Sequence, residues 1–262
     1  MLLAVDVGNT NTVFALFDGE QPKADWRIAT DTRRTADQYF VWFDHLMMIG
    51  GYGRAMVTDV AISTVVPETL FNLKVMARRY FGSEPLVVGE PETNIGVEIS
   101  YPNPREIGAD RLVNAQAAIS AFGANLIVID FGTATTFDVI DENSAYLGGV
   151  IAPGINLSLT ALEQAAAKLP RVAVERPNAV VGQSTTGAMQ SGVYWGYIGL
   201  IEGLCKRISA EQGREMTVIA TGGLSPLFAA GTSVINHVDD RLTMRGLVQI
   251  HALNRSAAQE SK

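Results

Sequence analysis

Residues 125–143 read NLIVIDFGTATTFDVIDEN: an apolar run, then Asp130, Gly132 and a string of threonines, then a second apolar run and a polar turn. Short apolar runs bounded by turn residues are the mark of buried strands, and two of them joined by a glycine-containing loop predict a hairpin. The same order stands at residues 2–19, LLAVDVGNTNTVFALFDG, where Asp6, Gly8, Thr10 and Thr12 match Asp130, Gly132, Thr133 and Thr135. A repeat at this separation predicts two related domains and not a short-period solenoid. The expected fold is α/β, with related domains over 1–117 and 118–262, each a mixed β-sheet flanked by helices, and a cleft between them.

Around the first hairpin, Asp18-Gly19 predicts a tight turn into a third strand over 24–28. Thr35 and Asp37 open a helix in which Tyr39, Phe40, Phe43, Leu46 and Met47 recur at helical spacing, ending at Gly50-Gly51. DVAISTVVP (59–67) reads as a buried strand closed by Pro67, followed by a helix to about Phe81 and a strand in PLVVG (85–89). SYPNPREIGADR (100–111), with two prolines and a glycine, reads as a loop, and RLVNAQAAISAF (111–122) as a helix. Past the second hairpin come a strand, a Pro153-Gly154 turn and a helix stopped near Pro170. A long helix over 184–209 follows, whose Gly187, Gly192, Gly196 and Gly199 predict close packing, and then a strand feeding a Gly222-Gly223 turn. RSAAQESK (255–262) is expected to fray.

With 262 residues, 47% hydrophobic and 18% charged, the chain can bury one large core or two modest ones. A net charge of -7 and a pI near 5.0 speak against a broad nucleic-acid footprint, which needs clustered Lys and Arg. They leave room for a small anion in a local site. The single cysteine, Cys205, rules out an internal disulfide and points to a reducing compartment, where a lone buried thiol is inert. MLLAV is too short for a signal peptide and has no basic flank, and no apolar run approaches the roughly 20 residues that span a bilayer.

A strand-end Asp followed by Gly and hydroxyl residues suits a phosphate loop. Backbone N–H groups at the glycine turn form an anion nest, threonine hydroxyls donate to phosphate oxygens, and the carboxylate holds a neutralising cation. Two such loops facing each other predict a clamp on a polyphosphate. No GxxxxGK[ST] occurs and neither loop holds a lysine, so metal ions or an arginine from elsewhere must balance the charge, and nucleotide binding is expected to be loose.

Three segments in order, DVGNTNT (6–12), FGTATT (131–136) and TGGL (221–224), resemble the phosphate-1, phosphate-2 and adenosine elements of the acetate kinase, sugar kinase, heat-shock chaperone and actin superfamily. Within it, YPNPREIGADRLVNAQAA (101–118), LGGVIAPGINLSLTALEQAAAKLPRV (147–172) and TTGAMQSGVYWGYIGLIEG (185–203) resemble type III pantothenate kinase, and the likeness covers residues 2 to about 250. The resemblance implies two ribonuclease H-like domains and ATP-dependent phosphorylation of pantothenate to 4'-phosphopantothenate, which opens coenzyme A biosynthesis. It implies ATP phosphates against Asp6, Val7, Gly8, Asn9, Thr10, Asn11, Thr12, Val13 and Thr133, and pantothenate against Tyr101, Gly108, Ala109, Asp110, Arg111 and Thr185. Asp110 is then the base, and Asp130 the ligand of a monovalent cation, potassium or ammonium, with Mg²⁺ accompanying ATP. A cytoplasmic homodimer with its substrate site near the subunit interface is implied as well, with no nucleic acid or membrane partner.

Spacing alone gives other roles to several of these residues. Asp110 precedes an apolar-periodic helix as an N-cap would, and a carboxylate accepting backbone N–H groups is a poorer base. Thr185 or Ser184 can cap the long helix, Tyr101 can pack on Pro102 and Pro104, and Arg105 or Arg111 can meet the substrate carboxylate or a phosphoryl oxygen. Asp138, Asp141 and Glu142 read as a solvated hairpin, Arg33-Arg34 as a solvated pair, Trp42, Phe43 and Met47-Met48 as core, and His45, His237 and His251 as surface or helix-face residues too scattered for zinc. Two other functions stay open at this level: a nucleotide-binding regulator, and a kinase acting on a sugar or carboxylate. The presence together of Asp110, Arg111 and Asp130 favours an enzyme.

Overall fold

In the computed structural model, residues 1–165 and 172–260 are described. The opening hairpin pairs β1 (Leu2–Val7) with β2 (Asn11–Asp18) antiparallel, and β3 (Gln21–Ala29) continues the meander. On the other side of β1, β4 (Asp59–Thr64) and β5 (Leu86–Val87) run parallel to it, giving the order β3-β2-β1-β4-β5. Successive side chains of a strand alternate between faces. Leu3, Val5 and Val7 accordingly enter a core with Tyr39, Phe43 and Met47 of α1 (Ala36–Ile49) and Leu73 and Met76 of α2 (Pro67–Met76). Leu2 and Ala4 enter a second core with Ala109 and Val113 of α3 (Ala109–Phe122) and Leu247, Val248 and Ile250 of α7 (Leu242–Glu260).

Thr35 starts α1 through a capping box, accepting the N–H of Gln38 at 3.3 Å while the Gln38 side chain accepts its own N–H at 2.9 Å. The helix over 67–81 is regular only to Met76; its last turn, Ala77–Phe81, is a wider π turn, stopped by Gly82 at φ +64°. The tract 100–111 is a loop with one 3-10 turn, Pro104–Glu106, and its last three residues already belong to α3.

The second sheet repeats the first. β7 (Leu126–Phe131), β8 (Ala134–Ile140) and β9 (Ala145–Pro153) form the antiparallel meander, with β10 (Thr217–Thr221) and β11 (His237–Val238) parallel beyond β7. The order β9-β8-β7-β10-β11 and its strand senses reproduce β3-β2-β1-β4-β5, with β6 (Glu98–Ile99) added outside β9. Ile127, Ile129, Phe137 and Val139 pack with Tyr194, Ile198, Ile201 and Cys205 of α5 (Thr185–Gln212) and with Phe228 of α6 (Ser225–Ala229). α4 (Ile155–Ala165) follows Gly154, and Pro170, its expected stop, lies outside the described residues. Burial pushes the Cys205 thiol up to about 12, in keeping with an inert group.

Two compact units emerge, and their limits differ from a cut at 117/118. The first comprises Met1–Val97, Pro102–Ser120 and Leu242–Lys262; the second Glu98–Tyr101 and Ala121–Arg241. The difference has a cause: α3 and α7 complete the apolar face of β1 and β4. Residues 255–260, expected to fray, continue α7. Its His251 is largely buried, with Nε2 3.7 Å from Asp59, which also pairs with Arg255 at 3.2 Å. The glycine stripe also departs from expectation. A Cβ on Gly192, Gly196 or Gly199 would meet nothing within 4 Å, and only Gly187 lies close to another segment, near Gly182.

Candidate active site

On the first unit, β1 ends at Val7 and the chain turns where the Gly8 N–H donates to Asn11 O at 3.0 Å. This turn exposes Asn9, Thr10 and Asn11 and leaves Asp6 and Val13 half-buried. Thr12 corrects the expectation of a hydroxyl facing phosphate. It is fully buried, and its Oγ1 lies 2.9 Å from Thr30 Oγ1, which donates at 2.7 Å to Gly8 O. The Thr30 N–H adds a bond to Thr10 O at 3.0 Å, so β3 braces the loop from behind. Thr30 was not readable as part of the loop, because nothing local ties it there.

Asp6 sits beside Ser63 in the parallel register of β1 and β4. Ser63 is fully buried and its hydroxyl has no hydrogen-bond partner among the described residues. One residue past β4, the Val65 N–H donates to Val7 O at 3.1 Å, while its side chain lies 3.4 Å from where a Cβ on Gly108 would be. The first loop and the start of α3 are thereby held to one strand end. Gly108 O accepts the N–H groups of Arg111 at 3.1 Å and Leu112 at 3.3 Å, so the helix begins there and Asp110 stands in its first turn rather than capping it. Asp110 Oδ1 accepts the N–H of its neighbour Arg111 at 2.8 Å and folds back over Gly108, 2.6 Å from a Cβ there. Burial pushes the Asp110 carboxyl above the ordinary aspartate value; the Arg111 N–H and guanidinium pull the other way without cancelling it. Arg111 is half-buried beside it, whereas Arg105 is exposed on the 3-10 turn.

On the second unit, the corresponding loop is one residue shorter: the Gly132 N–H donates to Ala134 O at 3.0 Å. Two glycines press on it. A Cβ at Gly154 would lie 2.2 Å from Thr133 O, and one at Gly222, where φ is +88°, would lie 2.7 Å from Phe131 O and 2.9 Å from Asp130 Oδ1. Only glycine allows backbones to approach this closely. Thr135, the counterpart of Thr12, is likewise buried and bonded to a second hydroxyl, that of Tyr197, which donates to Pro153 O at 3.0 Å. Ser184 caps α5 by accepting the Gly187 N–H at 3.1 Å, which leaves Thr185 exposed at the first helical position. Tyr101 follows β6 and its ring lies against Gly148.

The hairpin of the second unit holds a further correction. Asp138 is fully buried, accepting the Tyr146 hydroxyl at 2.7 Å and the Thr136 hydroxyl at 3.1 Å. Asp141 holds its own turn through the N–H groups of Asn143 and Ala145, and Glu142 pairs with Arg214. Strand alternation cannot separate a hairpin residue facing a covered sheet from one facing water.

Each loop by itself offers oxygen donors: one carboxylate, Asp6 in the first and Asp130 in the second, with threonine hydroxyls and backbone carbonyls. Such a set fits hard cations, and one carboxylate completed by substrate phosphates and water is a usual arrangement for Mg²⁺.

The family model of type III pantothenate kinases matches residues 2–207. A type III pantothenate kinase of Rhodospirillum rubrum is 56% identical over 255 residues, covering 97% of this chain and 99% of its own. One of Paramagnetospirillum magneticum is 57% identical over 254 residues, covering 97% and 98%. Among solved structures, a Campylobacter jejuni protein assigned to the Baf family of transcriptional activators matches with a TM-score of 0.63 at 22% identity, over 97% of this chain and 99% of that one; the likeness is one of fold.

Proposed function

The chain belongs to the type III pantothenate kinase family and phosphorylates pantothenate with ATP, the first step of coenzyme A biosynthesis; from this premise we propose how its residues divide the work. The observation that carries the reading is Asp110, a half-buried carboxylate of raised proton affinity in the first turn of α3, tied through Gly108 and Val65 to the strand end below the first loop.

Asp110 orients the terminal hydroxyl of pantothenate and takes its proton. Because phosphoryl transfer is largely dissociative, the proton moves late and the main duty of the base is alignment. Arg111 neutralises charge on the substrate carboxylate or the transferring phosphoryl group, as the planar guanidinium does well. Tyr101, Gly108, Ala109 and Thr185 complete the acceptor contacts. The turn from Asp6 to Val13 and Thr133 hold the ATP phosphates, with Asn9 to Asn11 exposed toward them and Thr12 acting from inside through Thr30. Magnesium, held with the nucleotide near Asp6, supplies charge neutralisation that a loop without lysine lacks. Asp130 binds a potassium or ammonium ion. The protein acts in the cytoplasm as a homodimer.

Incubation with ATP, Mg²⁺ and pantothenate, with and without potassium or ammonium, followed by mass spectrometry for 4'-phosphopantothenate, tests the assignment. Product is expected only with potassium or ammonium present, and its dependence on that cation should vanish in Asp130→Asn. Equal turnover in sodium alone refutes the role of Asp130. Light scattering should give twice the 28.1 kDa of one chain.

A further inference from the structure

We propose that Gly148, Tyr146 and Asp138 form a seat that fixes Tyr101 and so sets the affinity for the acceptor; this rests on the reading of Tyr101 as a pantothenate contact. Tyr101 is delivered by β6, a strand of two residues that pairs Glu98 with Ala145 and Ile99 with Tyr146, extended by one bond from the Ser100 N–H to Tyr146 O at 2.9 Å. So short a strand at the edge of a sheet is weakly held by its own ladder. The orientation of the next side chain depends on what its ring rests upon.

It rests on Gly148. A Cβ there would come within 3.1 Å of Tyr101 Cε2 and 3.2 Å of Cδ2, and Gly148 has φ +123°, a backbone conformation that other residues rarely adopt. Ordinary carbon contacts begin near 3.5 Å, so a side chain at this position makes the ring give by a few tenths of an ångström and strains the backbone beneath it. The backbone beneath the ring is fixed in turn. Between Val139 and Ile140 the register of β8 and β9 slips, so that Val139 faces Gly148 and Ile140 faces Tyr146, leaving Leu147 as the extra residue of a bulge. Bulges re-aim the side chains around them.

Tyr146, at the foot of the bulge, is fully buried and donates its hydroxyl to Asp138 Oδ1 at 2.7 Å; Thr136 donates to Oδ2 at 3.1 Å. A buried carboxylate is costly unless bonded, and bonds to it are stronger than those between neutral groups. This one locks the residue whose backbone carries Ser100 and whose bulge carries Gly148. Asp138, Tyr146 and Gly148 are positioning residues: none needs to touch substrate, and all act through Tyr101.

The test measures KM for pantothenate at saturating ATP, and KM for ATP at saturating pantothenate, in Tyr101→Ala, Gly148→Ala and the double variant. Both single variants should raise the acceptor KM about tenfold with the ATP KM within about twofold, a one-sided loss of acceptor binding. The double variant should be no worse than Tyr101→Ala, because residues acting as a unit are non-additive. Additive effects, or a Gly148→Ala defect shared equally by both substrates, overturn the seat. If Tyr101→Ala leaves the acceptor KM unchanged, it is the reading of Tyr101 as a contact that falls, and the seat falls with it. Should Gly148→Ala not fold, Asp138→Asn and Tyr146→Phe decide. Each should raise the acceptor KM about threefold in the native background and not at all in the Tyr101→Ala background; an equal rise in both backgrounds overturns the proposal.

Discussion

As the proposed base, Asp110 has to be basic enough to take a proton and yet ionised when substrate arrives. Burial raises its pKa, and Arg111 limits the rise. The acid limb of kcat/KM is therefore expected above the ordinary aspartate value of about 3.9, and Asp110→Asn should abolish that limb. The same substitution should lower kcat by about 10²- to 10⁴-fold, with ATP binding by calorimetry little changed. For stability the sign is fixed by the same shift: a raised carboxylate favours folding below its unfolded value, and that contribution is lost as pH rises through the folded value. Asp110→Asn should remove this loss, seen as a flatter melting temperature over that window. The candidate residue types were readable in the sequence because the same acid, glycine and hydroxyl order recurs at 2–19 and 125–143; one such stretch alone is an ordinary turn. Their facing was not: Thr12 and Asp138 turn inward because of β3 and β9, partners fixed only when the sheets form.

The loops are held by elements far from them in sequence, and the second loop shows this best. Gly154 and Gly222 press its backbone from two sides, so Gly154→Ala, with its Cβ 2.2 Å from Thr133 O, should cost about 2 kcal/mol in urea unfolding, as overpacking usually does. It should also weaken ATP binding more than pantothenate binding. An unchanged midpoint and unchanged ATP affinity would show that the loop does not depend on Gly154. Elements with local signals were legible: the Thr35 cap, the Gly50-Gly51 stop, and both hairpins. β6 and β11, of two residues each, are made by their neighbours and carry no signal of their own. α7 carries Gly246 as its fifth residue, a poor helix former. Yet the glycine is required, since a Cβ there would lie 2.1 Å from Val113 O of α3.

At the scale of the molecule, the repeat seen in two short motifs is a repeat of five strands in the same order and senses, to which the second sheet adds β6. The motifs sufficed to predict two related halves because each sits where a meander meets its parallel strands. The limits of the halves were not legible, because the residue that places α7 on the first unit, Gly246, shows its reason only beside Val113. Gly246→Ala should accordingly destabilise the first unit by about 3 kcal/mol, since backbone cannot yield as a side chain does. Hydrogen exchange should locate the loss in β1, β4 and α3; uniform loss across both units would refute the division. That discontinuity also bears on how the protein is made. β1 leaves the ribosome well before α7, which follows the whole of residues 121–241, so throughout that interval the nascent chain carries an apolar sheet face covered by α3 alone.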